Sequence, residues 1–155
     1  MPALPAVRTR YRDRMHADDA EPLPPADQQP RRTPGEPEWV RYAIAWHVMP
    51  LGAVGAPALC PHGDPDDPDS PAGAMAGEHR LRRLIEWLDH LVALGCNVLM
   101  LGPVFHSMSH GYDTVDHMRV DPRLGTNEDL LTLIEAAHRR GVRVMLDGVF
   151  NHVGI

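Results

Sequence analysis

One short apolar run, Val142–Val149, constrains the fold of this chain more than any other feature of its sequence. A near-continuous apolar run of this length is typical of a parallel strand that is buried on both faces. The polar residue Asp147 lies near its carboxyl end, and Asn151 and His152 follow. Because parallel α/β folds collect their sites at the carboxyl ends of strands, the run predicts both a strand and a polar site beside it.

Two further apolar runs, at 40–49 and 97–101, alternate with segments of helical periodicity. The first predicted helix covers Glu78–Leu94 and is stopped by Gly95, and the second begins at Thr126 or Asn127 and stops at Gly141. The apolar positions that define them are Leu81, Leu84, Ile85, Leu88, Leu91 and Val92, then Leu130, Leu131, Ile134 and Ala137. The order β-α-β-α-β predicts an α/β fold of parallel strands covered by helices on at least one face.

Residues 1–38 have a composition of their own. They hold eight of the 16 prolines, together with mixed arginine and acidic side chains. Such a segment cannot bury enough apolar surface to offset the entropy cost of ordering it. We therefore expect a disordered N-terminal arm over 1–38 and a folded domain over 39–155.

Composition and charge exclude several functional classes. The net charge of −6 argues against a nucleic-acid partner, because phosphate binding needs a basic patch. No apolar run is long enough to cross a bilayer, and the first residues lack the apolar core of a signal peptide. Two cysteines match neither a disulfide scaffold nor a zinc spacing. We expect a cytoplasmic protein with no membrane partner.

The loop between the second strand and the second helix carries most of the chemically active side chains. The segment 105–121, FHSMSHGYDTVDHMRVD, includes His106, His110, Tyr112, Asp113, Asp116 and His117. Aromatic faces, carboxylates and imidazoles are the groups that bind sugars, since a pyranose has apolar faces and a rim of hydroxyls. Together with Asp147, Asn151 and His152, this loop predicts a sugar site at one edge of the sheet.

Two metal interpretations compete with the sugar site. One is a metal-dependent enzyme that uses the carboxylates and imidazoles of the loop: His106, His110, Asp113, Asp116 and His117. It is disfavoured because a loop offers no rigid helical pair of ligands. The other is a cation-binding run at His62–Asp69, but the run lacks the Gly-and-Glu pattern of a calcium loop, which favours a solvated acidic turn.

Several of these motifs, taken together, resemble the α-amylase superfamily of retaining glycoside hydrolases. The segment Asp147–His152 is similar to the D-x-x-x-N-H signature of that family. The segment His110–Asp113, with Asp116 and then 121–126 (DPRLGT), is similar to the family's GYD…D…DPR(F)GT segment after strand two. The opening AIAWHVMPLGAVGAP is similar to its first strand and following loop. The resemblance covers residues 40–154 and implies the first three parallel strands and two helices of a (β/α)₈ TIM barrel.

The resemblance also implies roles for single residues. His152 would donate a hydrogen bond to the bound sugar ring, Tyr112 would stack on that ring, and His110 would lie near hydroxyls on the non-reducing side. Asp113 and Asp147 would support the site. Asn151 matches a position that ligates a structural calcium ion in many members of the family, although many others lack the metal. No cofactor is expected for the chemistry.

The resemblance places the acids of catalysis after later strands of the barrel. Retaining hydrolysis needs two carboxyl groups about 5 Å apart, and the family carries its nucleophile, acid/base and stabilising carboxylates after strands four, five and seven. Asp113, Asp116 and Asp147 are therefore given no catalytic role. We expect an N-terminal fragment of an enzyme that hydrolyses or transfers α-glucosides or oligosaccharides, with the missing C-terminal part of the barrel as its partner. The alternative is a non-catalytic fragment that binds sugar or only folds.

Overall fold

The computed structural model describes residues 35–154, and residues 38–154 belong to one compact unit. The disorder expected of residues 1–38 therefore falls almost wholly outside the described residues. At the boundary itself, Glu38 already belongs to a 3₁₀ turn, Glu38–Tyr42, that leads into the first strand. In residues 35–154 no helix is long and apolar enough to cross a membrane.

The centre of the fold is a parallel sheet of three strands. These are β1 (Ala45–Val48), β2 (Val98–Leu101) and β5 (Arg143–Leu146), and β2 lies between the other two. The register aligns Trp46 with Leu99 and Val144, and this row packs on the hydrophobic core. The parallel α/β fold is thus confirmed, although each strand is shorter than the apolar run that predicted it.

The opposite face of the sheet is open in the described part of the chain. The next row of the register, His47–Met100–Met145, lies on that face. His47 is exposed and Met145 is 42% exposed, whereas Met100 is half-buried. In a (β/α)₈ barrel the helices cover the outer face of the sheet, so this open face is the one that would line the barrel interior.

The first predicted helix is real but differs in geometry and bounds. A 3₁₀ helix, Arg80–Trp87, leads directly into α3 (Leu88–Ala93), so the helical stretch begins two residues later than expected. His79, just before it, has φ +50°, and its imidazole is held by the carboxylate of Asp129. Leu81, Leu84, Leu88 and Leu91 are fully buried or nearly so, but Val92, expected on the apolar side, is 45% exposed.

The second predicted helix is α4 (Asn127–His138), which begins as the sequence indicated. Thr126 is its N-cap, and a capping box joins Thr126 to Asp129. Leu133, Ala136 and Ala137 are its buried apolar residues. Leu131, expected on the apolar face, is 58% exposed, because it lies on the side of the helix opposite to the buried residues Asp129, Leu133, Ala136 and Ala137.

Several short elements lie where the sequence predicted only loop. Two short helices, α1 (Pro50–Ala53) and α2 (Pro71–Ala76), interrupt the segment between β1 and the 3₁₀ helix. An antiparallel hairpin of β3 (Phe105–Ser107) and β4 (Thr114–Val120) follows β2. Its register is irregular at two places, and such irregular pairing breaks the alternation of apolar and polar residues that reveals a strand. The hairpin carries the chemically active loop.

Candidate functional site

The site lies at the carboxyl edge of the parallel sheet, between the residues that follow β5 and the loop of the hairpin. Asp147 extends β5 by one residue, because its N–H donates to the carbonyl of Leu101 on β2 at 2.9 Å. Further on, the N–H of Gly154 donates to the carbonyl of Thr114 on β4 at 2.7 Å. His117 on β4 also bonds the carbonyl of Val149 and stacks on Phe150 at 5.7 Å. The chain after β5 is thereby attached to the hairpin.

Tyr112 is the centre of the site. Its hydroxyl donates to Asp147 Oδ2 at 3.0 Å, and its backbone carbonyl accepts from His152 Nε2 at 2.9 Å. Its backbone N–H donates to His110 Nδ1 at 3.2 Å, and the rings of His110 and Tyr112 lie 6.3 Å apart. We call these four residues, His110, Tyr112, Asp147 and His152, the Tyr112 cluster. All but the half-buried Asp147 are exposed.

The contact with Asp147 changes the acidity of the tyrosine. Because the Tyr112 hydroxyl donates to this carboxylate, loss of its proton would place two negative charges side by side. The hydrogen bond to Asp147, with some burial, raises the pKa of Tyr112 above its ordinary value. Tyr112 is therefore a neutral donor and an aromatic surface in this site.

The backbone of Tyr112 sets the tautomers of both histidines. A carbonyl only accepts, so His152 must carry its proton on Nε2, which leaves Nδ1 as an acceptor when the ring is neutral. A backbone N–H only donates, so neutral His110 carries its proton on Nε2 instead. The Nε2–H of His152 is thus bonded to the Tyr112 carbonyl, and the donation from His152 to the sugar that the resemblance implies stays a prediction.

Asp113 lies behind the cluster. Its Oδ2 accepts from the hydroxyl of Ser109 at 2.7 Å, while Oδ1 is buried without a hydrogen-bond partner and lies 3.8 Å from His110 Nδ1. Burial alone raises the pKa of Asp113, but the hydrogen bonds from Ser109 outweigh it and the net shift is downward. Asp113 therefore holds the loop as an anion through Ser109, with its side chain 25% exposed.

A glycine lets the loop turn beside the cluster. Gly111 has φ +96°, a conformation that residues with a side chain rarely adopt, and it is buried. A Cβ atom there would meet Pro103 at 3.3 Å. Gly111 thus places Tyr112 against the end of the sheet.

Asn151 does not join the cluster. Its side chain is exposed, and in residues 35–154 no three His, Cys, Asp or Glu side chains are grouped so that they could hold a metal ion. The role of Asn151 as a calcium ligand stays a prediction.

The side chains of the competing metal interpretation have separate partners. His106 Nε2 lies 3.4 Å from Cys60 Sγ, and Asp116 accepts from the N–H of Met118 at 2.7 Å. In the acidic run, Asp64 and Asp66 pair with Arg119 at 3.5 and 2.6 Å. The two aspartates of the acidic run thus face an arginine, and among residues 35–154 neither set forms a group of three side chains that could hold a metal ion.

Sequence reasoning assigned no role to Arg123, which organises the loops under the site. Its side chain is completely buried, and it bonds Asp121 through Nε at 2.8 Å and Nη2 at 2.7 Å. It also donates to Ser107 Oγ at 2.8 Å and to the carbonyl of Ser109. Burial alone lowers the pKa of Arg123, but the hydrogen bonds to Asp121 reverse this and raise it. The DPRLGT segment contains Arg123 and could have drawn attention to it, but the motif does not show which loops the arginine joins.

The fold and site together define a parallel α/β barrel-type protein whose exposed aromatic and polar side chains gather at the carboxyl edge of the sheet. Comparison with known proteins identifies the family. The sequence model described as "Alpha amylase, catalytic domain" matches residues 67–155, more than half of the chain. The chain belongs to the α-amylase catalytic domain family.

Relatives and solved structures agree with this assignment. A cyclomaltodextrinase of Geobacillus thermopakistaniensis is 40% identical over 124 residues, which cover 76% of this chain and 21% of the relative. A maltogenic α-amylase of Bacillus acidopullulyticus is 37% identical over 129 residues, 77% of this chain and 21% of that protein. The cyclic α-maltosyl-(1→6)-maltose hydrolase of Arthrobacter globiformis matches with a TM-score of 0.55 and 34% identity over 76% of this chain and 27% of that structure. This chain spans about a fifth of the length of these two curated relatives.

Proposed function

We propose that the Tyr112 cluster binds one glucose ring of an α-glucoside, in a protein that hydrolyses or transfers such sugars. The observation that carries the proposal is the position of Tyr112, an exposed ring whose hydroxyl and backbone are both held by the neighbouring polar side chains. A ring fixed in this way can stack on the apolar face of a pyranose without losing rotational freedom on binding.

The polar groups around the ring complement sugar hydroxyls, which both donate and accept. Nδ1 of neutral His152 has no hydrogen-bond partner among the described residues and is an acceptor, while Nε2–H of His110 is a donor. The half-buried carboxylate of Asp147 still has a second oxygen that can accept. One aromatic face, one donor and two acceptors are suited to a polyhydroxylated ring.

The proposal gives these residues a binding role and assigns bond cleavage to none of them. Within the cluster Asp147 is the one carboxylate, and Asp113 is turned toward Ser109. Retaining cleavage needs a pair of carboxyl groups that face the same bond. The names of the relatives, cyclomaltodextrinase and maltogenic α-amylase, support α-linked glucose as the substrate class. A relative named intracellular maltogenic amylase, from Bacillus subtilis, supports a cytoplasmic location.

The test measures binding of maltose and maltotriose to the full 155-residue chain by isothermal titration calorimetry or saturation-transfer NMR. Tyr112→Ala should weaken binding about tenfold, because loss of a stacking aromatic ring costs about 1.4 kcal/mol. The matched control is Tyr42→Ala, since Tyr42 is 64% exposed and accepts the hydrogen bond of Asn97 through its backbone carbonyl.

Two results would contradict the proposal. One is equal affinity of the Tyr112→Ala and Tyr42→Ala variants for maltose. The other is release of glucose from maltotriose by this chain with a rate that depends on Asp147 or Asp113, because that would make these carboxylates catalytic. Binding without turnover, weakened selectively by Tyr112→Ala, is the expected outcome.

A further inference from the structure

An apolar cleft of about 530 Å³ lies beside the Tyr112 cluster. One wall is built by the segment after β1, from Met49 to Leu59, and the other by Pro103, Ser109 and His110. Leu59 is 71% exposed and Met49 is 43% exposed, so both side chains present apolar surface to solvent. We call this feature the Leu59 cleft.

The walls of the cleft are held in place from below by one buried cation. The Nη1 group of Arg123 donates to the carbonyls of Pro57 at 3.3 Å and Ala58 at 3.0 Å, and also to that of Ser109. The same guanidinium therefore joins both walls. A hydrogen bond of 3.0 Å from the N–H of Cys60 to the carbonyl of Met108 adds a second link. The cleft is thus formed before any ligand arrives.

The lining of the cleft does not suit a second sugar ring. It contains no Phe, Tyr or Trp for stacking and no carboxylate for hydroxyl groups. The hydroxyl of Ser109 is already committed to Asp113. A buried sugar would leave its hydroxyls without partners, which costs free energy, whereas an alkyl group would gain from burial. The cleft favours an apolar occupant.

The cleft and the Tyr112 cluster are continuous because they share His110, which lines one and belongs to the other. A group attached to a sugar on Tyr112 reaches the cleft past this imidazole, whose ring lies 6.3 Å from that of Tyr112. We propose that the Leu59 cleft binds an apolar substituent of a glucoside whose ring rests on Tyr112. This inference rests on the proposed function and extends it to alkyl or acyl glucosides.

The experiment compares three probes on the full chain: methyl α-glucoside, hexyl α-glucoside and methyl 6-O-hexanoyl-α-glucoside, each below its micelle concentration. The hexyl and hexanoyl probes distinguish a substituent that enters from the anomeric carbon from one that enters from O6. At least one of them should bind about tenfold more tightly than methyl α-glucoside, since about two buried methylene groups suffice for that gain.

A structural readout locates the substituent independently of affinity. In protein with methyl-labelled methionine, the methyl resonance of Met49 in the cleft should shift on binding of the better hexyl-type probe and not of methyl α-glucoside. The better hexyl-type probe is whichever of the hexyl and hexanoyl glucosides binds more tightly. Met118, which is 82% exposed and does not line the cleft, serves as the internal control.

A pair of leucine variants tests the cleft itself. Leu59→Asn should remove most of the gain in affinity of the hexyl-type probe. Leu131→Asn is the matched control because Leu131 is 58% exposed on α4 and does not line the cleft. Melting temperatures of both variants are compared, and Ala58→Phe, which fills the cleft, should also abolish the gain.

The outcomes separate this inference from the proposed function. If methyl α-glucoside binds through Tyr112 but neither hexyl-type probe binds more tightly, the cleft proposal is overturned and the sugar site stands. If a hexyl-type probe gains affinity, moves Met49 and loses the gain in Leu59→Asn, the cleft proposal is supported. If none of the three probes binds, both proposals are overturned.

Discussion

Two polar clusters of this protein lie close together in the chain and are built in opposite ways. Arg123 and Asp121 have side chains that are 0% and 1% exposed, and the guanidinium is bonded on both edges. The Tyr112 cluster has fewer bonds, exposed rings and nitrogen atoms left for a ligand. The first arrangement stabilises loops, and the second leaves aromatic faces and hydrogen-bonding nitrogen atoms accessible. In this protein, a polar group with a structural role is therefore marked by complete burial and by having its hydrogen bonds made. Charge alone does not distinguish the two clusters.

The largest effect should come from breaking the buried pair. Arg123→Met leaves Asp121 buried without its cation and frees the carbonyls of Ala58 and Ser109, so the free energy of unfolding should fall by about 3–5 kcal/mol. Urea unfolding followed by circular dichroism measures this. The double variant with Asp121→Asn should recover part of the loss, because the uncompensated charge is gone.

The control for this prediction is an ion pair at the surface. Arg140 and Asp89 lie 2.8 Å apart, but their side chains are 31% and 81% exposed. Arg140→Met should hardly change the urea midpoint, since solvent screens such pairs. Equal destabilisation by Arg123→Met and Arg140→Met would show that burial does not distinguish the two classes of ion pair.

A smaller effect is expected at Asp129. Its side chain is buried, but its ion-pair partners His79 and Arg82 are each 46% exposed. Burial alone raises the pKa of Asp129, yet the hydrogen bonds from His79, Thr126 and Arg82 outweigh it and the net pKa is lowered. A carboxylate with a lowered pKa stabilises the fold above its unfolded value of 3.8 and loses that contribution as the pH falls through the folded value.

Asp129→Asn should therefore lower the free energy of unfolding by about 1–3 kcal/mol at pH 7. It weakens the capping box with Thr126 and the bonds from His79 and Arg82 to α4. Below pH 4 the difference from the unmodified protein should shrink. Urea unfolding at several pH values between 7 and 3 measures both. Glu128→Gln, in the same helical turn but exposed, is the control. A difference independent of pH would refute the electrostatic explanation.

The contrast between the clusters also explains what could be predicted from sequence. The cap at Thr126 and the three strands depend on local patterns, so they were visible. The hairpin of β3 and β4 was missed because its irregular register hides the strand period. Residues of the Tyr112 cluster were singled out because the motifs mark a strand end, whereas their bonds to one another span 35 and 40 positions. The links from Arg123 to Pro57 and Ala58 span 66 and 65 positions, and no local pattern encodes them.

The smallest effect concerns the exposed hydrogen bond between Tyr112 and Asp147. Because that bond, more than burial, raises the pKa of Tyr112, Asp147→Asn should return the pKa toward the ordinary value of 10.0 while leaving the fold intact. The tyrosines of the Asp147→Asn variant are titrated spectrophotometrically with and without an added Tyr112→Phe substitution. The difference assigns the shift in pKa to Tyr112. Asp116→Asn is the control, because Asp116 bonds Met118 and Arg119 and not Tyr112. If Asp147→Asn instead destabilised the protein as much as Arg123→Met, the exposed cluster would be a structural anchor like the buried one, and the proposed sugar site would lose its basis.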